Sequence, residues 1–224
     1  MQDHLRTAAL FSALDDDAAR ALRASMVEQK LSRGDVLFSE GEPGDKLYVI
    51  ESGKIKLGHT ASDGRESLIA VLGAGEMIGE LSLFDPGPRT ATAAALTNCK
   101  VLAMGHEALL PWLVGRPDLA VSLLAALARR LRRTNEALAD LVFSDVPGRV
   151  AKALLELGSK FGEPVPEGLL VTHDLTQEEL AQLVGASRET VNKALADFSQ
   201  RGWMRIEQRS VTLLDLERLE RRAR

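Results

Sequence analysis

The sequence predicts an α+β protein made of an antiparallel β-roll, a long helix and a C-terminal helix-turn-helix followed by a hairpin. Three observations predict this fold class. Short strand-forming segments separated by glycine-containing turns run from about Gly34 to Gly105. Leucines recur at spacings of three and four after Pro117, and two short amphipathic segments joined by a glycine follow Thr176. The three predicted parts are residues 1–116, 117–143 and 144–224.

The β-roll prediction rests on six segments rich in β-branched and other apolar residues. They read VLFSEG, KLYVIESG, KIKLGHT, ESLIAVLG, RTATAAAL and CKVLAMG. The turn sequences EPGD, SDGR and DPGP lie among them. Many short strands with this spacing are typical of a sandwich, a roll or a barrel, and we predict an antiparallel roll.

The long helix follows from a heptad pattern between Pro117 and Phe143. Its apolar positions are Leu124, Leu127, Leu131, Leu138 and Leu141, and Thr134 fills the gap in their spacing. The pattern fits either a helix packed on its own domain or a two-stranded dimer seam. A repeat closer to 3.5 than to the broader stripe of a globular helix favours the dimer. The segment SDVPG then breaks the helix, and we interpret it as a hinge.

A helix-turn-helix is predicted from cap residues in the C-terminal part. Thr176 and Glu179 have the spacing of a capping box, Gly185 marks a tight turn, and Ser187 is suited to cap the next helix. The strand-like LLVTHDL comes before this unit, and the hairpin-like WMRIEQRSVTLL follows it.

The early residues of the second helix have the side chains needed to bind double-stranded DNA. Arg188 and Lys193 can donate to guanine, and Glu189 can accept from cytosine. Three further side chains suit phosphate or base-edge contacts: Ser187, Thr190 and Asn192. The alternative is an ordinary Glu189–Lys193 ion pair on a surface helix. The capped helix before it and the hairpin after it favour DNA.

The stretch MIGELSLFDPGPRTAT in the β-rich part predicts an anion site. Gly79 permits close approach of a ligand, Arg89 offers a planar fork to phosphate, and Glu80 can accept from a sugar hydroxyl. Further donors are the amides of Glu80, Leu81 and Ser82 and the hydroxyl of Thr90. The set fits a ribose together with a phosphate. The alternative is that Arg89 pairs with Glu80 or Asp85.

Composition limits the other classes of function. The chain has 224 residues, 45% of them hydrophobic and 27% charged, as in ordinary soluble globular proteins. The net charge is −4, and the residues after Asp145 carry equal numbers of basic and acidic side chains, so DNA contact requires a local patch. No secretion signal or membrane span is recognisable, and we expect a cytoplasmic protein without a membrane partner.

Cysteine and histidine usage argues against metal and disulfide chemistry. Cys99 is the single cysteine, which excludes an intramolecular disulfide, and we expect it to be a core residue in a strand. The histidines, His4, His59, His106 and His173, show no paired spacing. We interpret them as surface or core residues and expect no metal or haem site.

Together these parts resemble the cyclic AMP receptor protein (Crp/Fnr) family of bacterial transcription regulators. The segments that carry the resemblance are GELSLFDPGPRTA, RRLRRTNEALADLVFSDVPGRVA and LTQEELAQLVGASRETVNKAL. It covers nearly the whole chain. The chain is most similar to actinobacterial members, through DPGPRT and THDLTQEELAQLVGASRETVNKALADF.

The resemblance implies a cyclic AMP site in the predicted β-roll. The implied phosphate and ribose contacts are Gly79, Glu80, Leu81, Arg89 and Thr90. Thr134 would meet the adenine from the seam helix. Asn135 stands where enterobacterial members have a serine that reaches across from the partner subunit. The segment between Glu80 and Arg89 is one residue shorter than in those members.

The resemblance also implies how DNA is read. Arg188 and Glu189 match the base-reading pair of the family, whose half-site resembles TGTGA, and Lys193 replaces an arginine. The implied protein is a homodimer that responds to cyclic AMP, binds palindromic DNA and has RNA polymerase as a partner. One alternative is a nucleotide-binding module with a different output, such as a kinase regulatory subunit. Another is a DNA-binding protein that does not depend on a nucleotide, or that responds to cyclic GMP or another small ligand. An enzyme would need clustered histidine and carboxylate ligands, which the sequence lacks.

Overall fold

The computed structural model describes residues 8–61, 63–85 and 87–223, with Leu83 described by its backbone. His4, Ser62 of the turn SDGR and Pro86 of DPGP lie outside the described residues. The chain forms two compact units, one from residues 8–59 and 71–133 and the other from residues 60–70 and 134–223.

The first part of the chain is an antiparallel β-roll with short helices at both ends, as predicted. Up to Gly115 the elements are α1 (Asp16–Ala24), β1 (Val27–Leu31), β2 (Val36–Phe38), β3 (Lys46–Ser52), β4 (Ile55–Thr60), β5 (Glu66–Leu72), β6 (Met77–Ile78), α2 (Leu81–Phe84), β7 (Thr92–Ala95), β8 (Cys99–Gly105) and α3 (His106–Gly115). The two sheets have the strand orders β1-β8-β3-β6 and β2-β7-β4-β5. Each of the six predicted segments contains a strand. The prediction missed β1, β6, α1 and α3.

The core of the roll lies where helices cover the first sheet. Five successive residues of β3 are buried, so this strand is covered on both faces. Leu22 of α1 and Leu109 of α3 belong to the same buried cluster as Leu47 of β3 and Leu102 of β8. Cys99 is a buried free thiol in β8, as expected from its sequence context.

The long helix α4 spans Pro117–Phe143, 27 residues or about 40 Å. Its first turns bury Leu119 and Leu123, which join the core of the roll. The seam leucines beyond them are different, because Leu124, Leu131, Leu138 and Leu141 are each more than half exposed. An apolar stripe of this length needs a covering surface, and its assignment as a dimer seam stays a prediction. Among the described helices, none alone is long and apolar enough to span a membrane. The helices α3 and α4 reach that length and composition only together, with a bend of 116° between them.

The last part of the chain is a helix-turn-helix with a small antiparallel sheet. Its elements are α5 (Val146–Phe161), β9 (Gly162–Val165), β10 (Gly168–Thr172), α6 (Gln177–Val184), α7 (Arg188–Gln200), β11 (Met204–Glu207), β12 (Ser210–Leu213) and α8 (Leu216–Arg222). The sheet order is β11-β12-β10-β9. The strands β11 and β12 form the predicted hairpin, whereas β9 and α8 were not predicted.

The break after α4 is shorter than the predicted hinge SDVPG. Only Ser144 and Asp145 lie between the two helices, and Val146 already begins α5. Proline is favourable in the first turn of a helix, because its missing N–H would have no acceptor there. Asp145 caps α5 by accepting from the backbone N–H of Gly148 at 2.9 Å.

Asp145 also connects this cap to the C-terminal helix. Nη2 of Arg222 donates to both carboxylate oxygens of Asp145, at 2.8 and 2.6 Å. These bonds from Arg222, and then the cap bond from Gly148, hold the pKa of Asp145 below its usual value. A carboxyl with a depressed pKa stabilises the fold above its unfolded pKa and loses that contribution as pH falls through the folded value.

We expect Asp145→Ala to destabilise the C-terminal part by about 1 kcal/mol at pH 7, because the cap and the ion pair are both lost. The difference from wild type should shrink as pH falls below about 4, because the carboxylate of the unfolded wild type binds a proton there at a higher pH than the folded one does. Urea unfolding between pH 7 and pH 3 measures it. Asp145→Asn keeps a capping side chain and should lose less at pH 7. A difference that does not change with pH would contradict the role of the charge.

Candidate functional site

The segment around Gly79 forms a tight turn that only glycine fits. Gly79 has φ of 79°, in the left-handed region. A Cβ on it would lie 2.6 Å from Nη1 of Arg89 and 2.9 Å from the carbonyl oxygen of Lys46. A single helical turn, α2, follows it, and the first N–H groups of this turn have no acceptor within the helix. The backbone therefore presents donors beside a buried arginine.

Arg89 is only 4% exposed and is held in place by backbone carbonyls. Nη1 donates to the carbonyl of Gly79 and Nη2 to that of Lys46, both at 2.8 Å. The guanidinium lies 4.3 Å over the ring of Phe38, a cation–π contact. Burial raises the pKa of the neighbouring Tyr48 phenol, so this hydroxyl stays neutral and cannot neutralise the arginine. The sequence also allowed Arg89 to pair with Glu80 or Asp85, but these two bonds go to backbone carbonyls and not to a carboxylate.

Glu80 is buried with one carboxylate oxygen bound and the other orphaned. It is 1% exposed, and Oε1 accepts from Nη1 of Arg130 at 2.6 Å. Within the described residues, Oε2 of Glu80 and Nε of Arg89 are buried without a hydrogen-bond partner. A buried acceptor and a buried donor without hydrogen-bond partners, both beside the same turn, lower the stability of the fold. They fit a ligand that brings a hydroxyl and an anion.

Arg130 was not predicted as part of this site. It lies on α4 four residues, about one helical turn, before Thr134, on the same face of the helix. That spacing was available in the sequence, but RRLRRTNE contains four arginines, and only the folded chain shows which of them meets Glu80.

The other predicted nucleotide contacts differ in their exposure. Ser82 is buried and packs so closely on Gly44 that a Cβ there would overlap its side chain. Leu81 and Thr90 are exposed beside the turn. Thr134 and Asn135 are exposed on α4.

The helix-turn-helix has the predicted capping residues at the start of α6, at the turn and at the start of α7. Thr176 and Glu179 form the reciprocal capping box at the start of α6. Gly185 has φ of 68° and ends that helix, and the N–H of Ala186 bonds back to the carbonyl of Ala181 at 3.1 Å. Ser187 then caps α7 through the N–H of Thr190 at 3.3 Å. These caps set the angle at which α7 leaves the turn.

The polar face of α7 is exposed, while its apolar face packs inward. The buried residues are Val191, Ala194, Leu195 and Phe198. Ser187, Arg188, Glu189, Thr190 and Lys193 are exposed. Nζ of Lys193 donates to Glu189 at 2.7 Å, the ion pair that the sequence offered as an alternative. Both side chains are about three-quarters exposed, so the pair contributes little and can open when a ligand competes.

Gln177 organises two residues of that face and was not predicted. Its Oε1 accepts from Nη2 of Arg188 at 3.4 Å and from Nδ2 of Asn192 at 3.2 Å. Asn192 is half-buried, and its Oδ1 is among the buried atoms of the described chain without a hydrogen-bond partner. Both side chains thus bond to α6 through Gln177, and Arg188 is the exposed one of the two.

Metal ligands do not cluster in the part of the chain that the structure describes. No group of three or more histidine, cysteine or acidic side chains there is placed to hold a metal ion.

Comparison with known proteins gives the same two-part organisation. Residues 28–113 match the family model "Cyclic nucleotide-binding domain", and residues 148–222 match "Crp-like helix-turn-helix domain". The chain is 55% identical over 224 residues, all of both proteins, to the CRP-like cAMP-activated global transcriptional regulator of Mycobacterium tuberculosis. It is 37% identical over 188 residues, 84% of each chain, to the cyclic AMP receptor protein of Thermus thermophilus.

A solved structure agrees with the fold. The chain matches a CRP-family transcriptional regulator from Thermus thermophilus with a TM-score of 0.74 and 28% identity, over 87% of this chain and 96% of that one. The predicted resemblance is therefore confirmed, and the relatives are regulators rather than enzymes. The chain belongs to the cyclic AMP receptor protein (Crp/Fnr) family of bacterial transcription regulators.

Proposed function

We propose that this chain is a homodimeric transcription regulator whose binding to TGTGA-type palindromes is controlled by cyclic AMP. The proposal rests on two polar atoms, Oε2 of Glu80 and Nε of Arg89, which are buried without hydrogen-bond partners in the described part of the chain. The same chain has a capped helix, α7, with an exposed polar face. We further propose a cytoplasmic location and RNA polymerase as a partner, which the family resemblance implies.

The nucleotide site is preorganised by the protein's own backbone. Cyclic AMP brings a cyclic phosphate, a ribose hydroxyl and a purine. Arg89 supplies the positive charge for the phosphate, and its bonds to Gly79 and Lys46 fix the guanidinium before the ligand arrives. Oε2 of Glu80 accepts from the ribose hydroxyl, since Oε1 is already bound by Arg130. Further proposed contacts are Leu81, Ser82, Thr90, Thr134 and Asn135.

The DNA site is the start of α7. In a helix-turn-helix the second helix enters the major groove with its N-terminal residues at the base edges. Arg188 and Glu189 are placed to read bases, and Lys193 reaches a base once its pair with Glu189 opens. Ser187 and Thr190 suit phosphate oxygens, and Asn192 holds its place through Gln177.

The exposed leucines of α4 support a second copy of the chain as the covering partner. Two reading helices must lie about 34 Å apart to enter successive major grooves, which a symmetric dimer provides. In this proposal residues 1–116 bind the nucleotide, residues 117–143 form the dimer and residues 144–224 bind DNA. Cyclic AMP shifts the equilibrium because it binds the DNA-competent arrangement more tightly than the other.

The proposal is tested by gel-shift titration of the full chain on a TGTGA-type palindrome, at one stated salt concentration, with and without cyclic AMP. We expect tighter binding with the nucleotide and a dimer by sedimentation. Equal binding in both conditions would favour the alternative, a regulator that is nucleotide-independent or answers another small ligand.

We expect Thr134→Ala to weaken the response to cyclic AMP several-fold, because one hydroxyl hydrogen bond contributes about 1 kcal/mol. The fold should be unaffected, since Thr134 is exposed on α4. Calorimetric titration with cyclic AMP measures the change, and Thr134→Ser, which keeps the hydroxyl, is the control. An unchanged titration in the alanine variant would remove Thr134 from the site.

A further inference from the structure

Arg149, on the first turns of α5, binds three backbone carbonyls from two other segments. Its Nη1 donates to Ser144 at 2.8 Å, its Nε to Val184 at 3.0 Å and its Nη2 to Gly185 at 3.3 Å. Ser144 directly follows α4, Val184 is the last residue of α6, and Gly185 is the turn of the helix-turn-helix. One guanidinium therefore joins the end of the long helix to the turn that precedes α7.

These carbonyls are natural partners for an arginine. The last carbonyls of a helix have no donor within it and carry the negative end of the helix dipole. A guanidinium is planar, permanently charged and has donors on three nitrogens, so it can bind several carbonyls in fixed directions. A lysine is a single point charge and cannot span the three acceptors at once.

A second contact joins the same two segments without Arg149. A Cβ on Gly185 would lie 3.1 Å from Cδ2 of Leu141, so this α4 leucine packs on the backbone of the turn. The neighbouring pair of Lys152 and Asp140, 2.5 Å apart, ties α5 to α4 but does not reach the turn. Polar and apolar contacts thus converge on Gly185, two residues before the cap of α7.

We propose that Arg149 is a positioning residue that fixes the turn, and with it the start of α7, to the end of α4. The proposal rests on the proposed DNA-reading role of α7. A displacement of the end of α4 is carried through Arg149 to Val184 and Gly185 and from there to Arg188. Without Arg149 the reading helix keeps its side chains but loses its fixed orientation, so selectivity and the response to the nucleotide both decline.

The test uses full-length Arg149→Lys and Arg149→Met, with Lys152→Met as the matched control that removes a cation from the same helix. Fluorescence anisotropy measures Kd for the palindrome and for an unrelated duplex, each with and without saturating cyclic AMP. We expect Arg149→Met to lose roughly tenfold in affinity for the palindrome and to lower the cyclic AMP enhancement several-fold. The Kd for the unrelated duplex should change little in Arg149→Met, by about as much as in Lys152→Met. Arg149→Lys should recover only part of the loss.

A readout without any ligand separates this inference from the proposed function. Hydrogen exchange at the amides of Gly185 and Ala186, which bond to carbonyls of α6, should be faster in Arg149→Met than in wild type or Lys152→Met. Wild type that neither responds to cyclic AMP nor prefers the palindrome would contradict the proposed function. Faster hydrogen exchange at the turn in Arg149→Met would still support the positioning role in that case. Wild-type exchange at the turn together with wild-type affinities in both Arg149 variants would overturn the inference.

Discussion

Arg89→Ala is expected to weaken cyclic AMP binding by about a hundredfold or more, because charge-assisted hydrogen bonds each contribute about 1.5–3 kcal/mol and arginine meets a phosphate through more than one. The arginine is buried and fixed by two carbonyls, so it incurs little ordering cost on binding. Calorimetric titration of the full chain with cyclic AMP measures the loss.

Two further variants separate lost binding from a disturbed fold. Arg89→Ala leaves the carbonyls of Gly79 and Lys46 without these donors, so melting curves must accompany the titration. Arg89→Lys keeps the charge without the fork and should bind with intermediate affinity. Arg20→Ala is the matched control, since Arg20 is an exposed α1 residue paired with Asp17. Wild-type affinity in a folded Arg89→Ala would exclude this turn as the phosphate site.

Arg188→Ala is expected to lose the preferred palindrome while keeping weak general DNA association. A good bidentate contact with guanine discriminates by about 1–3 kcal/mol, and a dimer loses it in both half-sites. Competition gel-shifts measure the selectivity between the palindrome and a second duplex, in which the guanine contacted by Arg188 is replaced in both half-sites. The variant should bind the two duplexes almost equally, with little change in the affinity for unrelated DNA.

The control for that variant removes a charge elsewhere on the same part of the chain. Arg221, exposed on α8, pairs with Glu217 at 3.7 Å, and Arg221→Ala should leave selectivity as in wild type. Full selectivity in Arg188→Ala would mean that this helix does not read the bases. Equal losses in both variants would point to a general charge effect.

The predicted elements were those with local signals. The capping box at Thr176, the glycine turn at Gly185 and the cap at Ser187 are determined by residues within four positions of one another, and the structure has each of them. Strand-forming segments bounded by glycine were also located correctly. The strand β1 was missed because its sequence, VEQKL, is mostly polar and four of its five residues are exposed. Its pairing with β8 decides its structure instead.

By itself the sequence determined the fold class, the order of the parts, the family and the residue types of both candidate sites. Only the tertiary structure decided which of several equivalent side chains meet. It selected Arg130 from a run of arginines to bind Glu80, gave Arg89 two carbonyls instead of an acid, and brought Arg149 to the turn before α7. The physical reason is distance along the chain. Caps and turns depend on neighbours a few residues away, whereas these bonds join residues 10 to 50 positions apart that meet only when the elements pack.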